Sequence, residues 1–103
     1  ALLPRETPLA EVGRRFGNSG YVAESVPLAI FAAQHIAHLP FMQVLKETVS
    51  AGGDTDTIAA IAGQIAGAFV GTSGLPQAAV TNVARLENLK DTVEQFSRTV
   101  ASL

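Results

Sequence analysis

With 103 residues, 48% of them hydrophobic, the chain is long enough for one small domain with a modest core. Seven basic against nine acidic side chains, mixed along the sequence, give a formal net charge of -2 and no basic patch, which excludes a typical nucleic-acid binder. Cysteine is absent, so disulfides and thiolate metal sites are ruled out; this fits a reducing cytoplasm, the compartment expected here.

No basic-apolar-small leader pattern opens the chain. The first residue is Ala rather than Met, which fits trimming or a piece of something longer. Residues 58–71 form the most hydrophobic run, but Gln64 interrupts it and it falls short of the roughly 18 apolar residues of a membrane span. No membrane association is expected.

Residues 1–8, with Pro4 and Pro8 among mixed charges, read as irregular. Thr7-Pro8 then has the form of a cap followed by a first-turn proline, opening a helix with Leu9, Val12 and Phe16 at helical spacing. Gly17-Asn18-Ser19-Gly20 ends it in a turn that can present backbone N–H groups and an amide to a ligand, or be an ordinary loop. The second helix carries a stripe of Val26, Ile30, Ala33 and Ala37. Because proline belongs in a first turn, Pro27 predicts a start close to Glu24-Ser25. His35 and His38, three apart near its end, read as solvated helix-end residues rather than ligands, since no third ligand is nearby.

Pro40 opens a third helix whose inner face is Phe41, Val44, Leu45 and Val49 and whose outer face is Gln43, Lys46, Glu47 and Ser50. Ala51-Gly52-Gly53 stops it, glycine being the residue that most readily turns left-handed after a helix. A fourth helix over 57–71 sets Ile58, Ile61, Ile65 and Phe69 on one side and Gly63, Gly67 and Gly71 on the other. Apolar all round, it needs neighbours on every side, and its glycine row predicts close approach of another backbone. After Thr72-Ser73-Gly74, Pro76 starts a fifth helix with Leu75, Ala79, Val83 and Leu86. Asn88 caps a last one with Leu89, Val93, Phe96, Val100 and Leu103 alternating at four and three, and Glu94 and Arg98 spaced to pair. No segment alternates with period two, so the fold expected is all-α, a single domain of five or six helices in an orthogonal bundle around the Gly/Ala-rich fourth.

Gly52-Gly53-Asp54-Thr55-Asp56-Thr57 is the densest chemical statement in the chain. Two readings stand. Asp54 caps the fourth helix while Asp56 complements its dipole, or the carboxylates and threonine hydroxyls offer oxygen ligands to a hard cation such as Mg²⁺. A phosphatase reading of Asp54-Thr55-Asp56 fails, because the preceding residues are a helix end and a turn rather than an apolar strand.

Together with Gly17-Asn18-Ser19-Gly20-Tyr21-Val22-Ala23-Glu24-Ser25-Val26-Pro27, this run and the Ile58-Ala59-Ala60-Ile61-Ala62-Gly63-Gln64-Ile65-Ala66-Gly67-Ala68 helix behind it resemble the C-terminal part of the ADP-ribosylglycohydrolases. The resemblance covers nearly all of the chain after about residue 10. It implies an all-helical bundle with two Mg²⁺ ions, in which Asp54, Asp56 and Thr57 are metal ligands, and Asn18, with Ser19 and Gly20, contacts ADP-ribose. Glu24 matches a family glutamate and reads as a helix-start residue rather than a catalyst. The chemistry implied is hydrolysis of the bond joining the anomeric carbon of ADP-ribose to an acceptor, typically on an ADP-ribosylated protein. The family's N-terminal portion, with the other metal ligands and the glutamate proposed to act in catalysis, has no counterpart here. No catalytic residue is therefore assigned, and the expectation is a fragment inactive alone.

The alternative is a stand-alone binding or assembly module that keeps the core helices and a partial cation or nucleotide site. In either case, an all-round apolar helix short of neighbours predicts self-association, as a homodimer.

Overall fold

The computed structural model describes residues 4, 6–84 and 87–103, and every regular element among them is helical. The expected all-α class is what is seen. Helix α1 spans Leu9–Phe16, α2 Val22–Ala33, α3 Phe41–Ser50, α4 Thr55–Val70, α5 Gln77–Ala84 and α6 Glu87–Ala101, with short 3-10 turns at Gln34–Ala37 and Thr72–Gly74. Of the residues expected to be irregular, those described form a turn in which the Thr7 N–H donates to the Pro4 carbonyl at 3.1 Å. Pro8 takes the cap position in place of Thr7, its carbonyl accepting from Glu11 and Val12.

Several boundaries and faces differ from the sequence expectation, each for a physical reason. Helix α2 starts at Val22 rather than near Glu24-Ser25, which leaves Pro27 inside the helix. Its buried stripe is Ser25, Leu28, Ala29, Ala32 and Ala33, so Ile30 and Ala37 lie exposed on the other side. Helix α3 buries Val44 and Thr48 and turns Val49 outward; Thr48 can be buried because its hydroxyl donates to the Val44 carbonyl at 2.7 Å. Helix α4 begins at Thr55, two residues early, and buries Ile58, Ala62 and Ala66. Ile65 and Phe69, expected in the core, are 42% and 72% exposed. Asn88 falls inside the first turn of α6 rather than capping it, and Leu86, counted in the α5 stripe, lies outside the described residues.

The changes of face in α2 and α4 share a cause. The core unites Leu9, Val12, Leu28, Ala29, Ala32, Ala33, Ala51, Ile58 and Ala62, so α2 and α4 meet mainly through alanines. Small side chains let helix axes approach at the short end of the usual ~8–10 Å range, and a helix apolar all round is free to turn that face inward. The glycine row serves a looser contact. A Cβ at Gly63 or Gly67 would meet only side-chain atoms of Leu45, Phe41 and Leu75, at 3.5 Å or more.

Helix α4 packs against α2 and α3, and α1 leans on both of those. The far side of α4 is open, so the expectation of a surrounded central helix holds on one side only. Among the described residues, helices α5 and α6 make their main contacts with one another. Leu89, Val93, Phe96, Val100 and Leu103 are all at least 42% exposed. The radius of gyration, 15.1 Å, exceeds the roughly 13 Å of a compact domain of this length.

Candidate functional site

The two stretches singled out in the sequence come together as two turns clasped against each other. One, residues 17–20, joins α1 to α2; the other, residues 51–54, joins α3 to α4. Gly52 and Gly53 both have left-handed backbones, φ +74° and +68°, and reverse the chain as expected. The reversal delivers Asp54 to the N-cap of α4, where its carboxylate accepts from the Thr57 N–H at 3.4 Å. Asp56 in the first turn accepts from the same N–H at 3.0 Å. The capping reading of Asp54 is thus realised, and both carboxylates and the Thr57 hydroxyl sit within one helical turn.

Asn18 ties the turns together at both ends of its residue. Its backbone carbonyl accepts from the Asp54 N–H at 2.8 Å, and its side-chain amide donates to the Ala51 carbonyl at 2.8 Å. The fit is close at three glycines and closest at Gly53. A Cβ on Gly53 would lie 2.1 Å from the Asn18 carbonyl oxygen, one on Gly13 3.1 Å from the Ala51 carbonyl oxygen, and one on Gly20 2.6 Å from Asp54 Oδ2. Gly20 is therefore the residue that leaves room for the Asp54 carboxylate.

Ser19 faces the other way. Its N–H donates to Glu24 Oε2 at 3.1 Å, its hydroxyl donates to the same oxygen, and the Tyr21 N–H donates to that hydroxyl at 3.2 Å. Glu24, in the first turn of α2, thus does what its sequence reading expected: it fixes the helix start. The Ser19 hydroxyl, then its N–H, hold the Glu24 carboxyl below its ordinary range, against a smaller upward push from burial. Gly17, at φ +100°, makes space for that carboxylate, which a Cβ there would strike at 2.3 Å.

Asp54 is also held below the ordinary carboxylate range, first by the neighbouring Asp56 side chain and then by that of Thr57. Both carboxylates accept from the one Thr57 N–H, and a bound cation would offset the negative charge gathered there. The donor set is all oxygen, as Mg²⁺ prefers. It is also small. Among the described residues no three His, Asp or Glu side chains converge as a metal cluster, so Asp54, Asp56 and Thr57 supply at most one side of an octahedral shell, with water or other groups completing it.

His35 and His38 stay out of this site. His35 is half-buried rather than solvated: its Nδ1 lies 3.1 Å and 3.2 Å from the Phe31 and Ala32 carbonyls, and its ring meets Phe31 edge-on at 5.5 Å. Tyr21, which the sequence reading passed over, is 66% exposed on the rim beside Gly20. Its position directly after the Gly-Asn turn was the available signal.

The fold is all-helical, and the clasped turns set two carboxylates at the N-terminus of α4. The chain belongs to the ADP-ribosylglycohydrolase family, whose model matches residues 2–102. It is similar to the human ADP-ribosylhydrolase ARH3, at 38% identity over 76 residues, which cover 65% of this chain and 21% of that protein. It is also similar to the ADP-ribosylarginine hydrolase Tri1 of Serratia proteamaculans, at 31% identity over 79 residues, 77% of this chain and 21% of that protein. The chain thus spans about a fifth of the length of these relatives. No solved structure matches it significantly. Among the described residues no helix is long and apolar enough to cross a membrane.

Proposed function

We propose that this chain forms one wall of the active centre of an ADP-ribosylglycohydrolase, with Asp54, Asp56 and Thr57 as ligands on one side of a two-Mg²⁺ site. The observation that carries the reading is that the Asp54 and Asp56 carboxylates both accept from the Thr57 N–H, at 3.4 Å and 3.0 Å, because this concentrates negative charge where an oxygen-preferring cation offsets it. Bound there, Mg²⁺ would supply Lewis-acid polarisation of an oxygen ligand and orientation of ribose hydroxyls. The chain's own contribution is positional. Asp54 and Asp56 hold the charge at a fixed helix terminus, Thr57 adds a hydroxyl, and residues 18–20 form the rim against which an ADP-ribose group rests.

The substrate class follows from the names of the relatives, an ADP-ribosylhydrolase and an ADP-ribosylarginine hydrolase, and is an ADP-ribosylated acceptor. Placed in the human relative in exchange for the matching segment, this chain should restore ADP-ribose release from a modified peptide, and Asp56→Ala should abolish it. The isolated chain should show none. Turnover by the isolated chain, or a hybrid indifferent to Asp56, contradicts the proposal.

A second reading, self-association, is favoured by the exposed apolar strip of α6. We propose that a second copy of the chain covers it.

A further inference from the structure

We infer that Asn18 is a positioning residue for the carboxylates, acting through Asp54 and Ala51. This deepens the metal-site reading and rests on it. The side-chain amide of Asn18 donates one of its two N–H groups to the Ala51 carbonyl at 2.8 Å, across 33 residues of sequence. Its backbone carbonyl accepts from the Asp54 N–H at 2.8 Å.

The two bonds act on the two ends of the Gly-Gly reversal, one on the residue before it and one on the residue after. A double glycine is the most freely rotating dipeptide a chain can contain. Left alone, it would let Asp54 swing relative to α2, and the carboxylate pair would not be held against the 17–20 rim. Asn18 removes that freedom at both ends.

The surroundings are built to the same purpose. The Asn18 backbone and side chain occupy the space that a Cβ on Gly53 would need, and Gly20 leaves the opening into which Asp54 Oδ2 fits. The 17–20 turn is in turn anchored by the three hydrogen bonds linking Glu24, Ser19 and Tyr21. A path of direct contacts therefore runs from the start of α2, through Ser19 and Asn18, to the first turn of α4. Precise ligand placement of this kind depends on the residues that support it.

The test uses the full chain and two readouts besides activity: Mg²⁺ affinity by calorimetric titration, and hydrogen exchange of the Asp54 amide followed by NMR. Asn18→Asp keeps the shape but replaces the donor to Ala51 with an acceptor. It should lower Asp54 amide protection about tenfold, as expected for one lost hydrogen bond, and weaken Mg²⁺ binding although no metal-contacting atom has changed. Glu24→Gln, which loosens the same turn from its far end without altering Asn18, should move both readouts in the same direction by less, and it keeps the test decisive if Asn18→Asp fails to fold. Mg²⁺ affinity equal to the parent's in both variants overturns the positioning role, whatever the exchange shows. If the parent itself gives no Mg²⁺ heat, the metal-site reading fails, and Asp54 exchange alone decides the clamp: protection unchanged in the variants overturns it.

Discussion

Gly53 and Gly71 share a left-handed backbone, φ +68° in each, but not their surroundings. Nothing lies within 4 Å of a Cβ built on Gly71, whereas one on Gly53 would collide with the Asn18 backbone. Gly71→Ala should therefore cost about 1–3 kcal/mol, from the strained backbone alone. Gly53→Ala should cost distinctly more, because a carbonyl cannot rotate away as a side-chain tip can. Urea unfolding of the two variants measures the difference, and equal losses would show that the clasp between the turns is loose. The same clasp carries a pH dependence. Glu24 is held below its ordinary range by Ser19, so its contribution is present at neutral pH and disappears as pH falls through its folded-state pKa, below 4.5. The stability difference between the parent and Glu24→Gln should accordingly be largest near neutrality and vanish in acid; a gap that persists at low pH would assign it to something other than charge.

Among the elements, α4 has the clearest consequences. Ile58 is fully buried and Ile65 is 42% exposed, although both lie on the stripe that periodicity selects. Ile58→Ala should cost about 2–5 kcal/mol and Ile65→Ala under about 1 kcal/mol. Comparable losses in thermal melts would restore the isoleucine stripe to the core. Gly63→Ala adds a methyl at ordinary contact distance from Leu45, so it should leave stability unchanged or raise it by up to about 1 kcal/mol through helix propensity. The helices themselves were legible in the sequence, because proline and glycine mark their ends and charged residues are kept to a few faces. Which face turns inward was legible in part where apolar and polar residues alternate sharply, as in α1, where Leu9 and Val12 are buried but Phe16, on the same stripe, is 57% exposed. In α2 and α4 nearly every position is apolar, and the choice fell to alanines that permit close approach, a property of the pair rather than of either helix. The carboxylate turn was legible from its six residues. The two bonds of Asn18 were not, since Ala51 and Asp54 lie more than 30 positions further along the chain.

The whole molecule exposes 7050 Å², against about 5,500 Å² for a compact monomer of this mass. That excess is larger than the roughly 800 Å² that each partner contributes to a standard interface. Much of it belongs to α5 and α6, whose described residues are almost all exposed. Sizing with light scattering should therefore show a concentration-dependent dimer. Phe96→Glu, which sets a charge in the middle of the stripe, should shift it toward monomer. A chain monomeric at all concentrations contradicts the association.

The central claim is that the first turn of α4 holds a divalent cation through Asp54, Asp56 and Thr57. Calorimetric titration of Mg²⁺ into the parent chain and into Asp56→Ala tests it most directly. Weak binding by the parent that is lost in the variant is the result predicted, and equal heats from the two would remove these residues from any metal site.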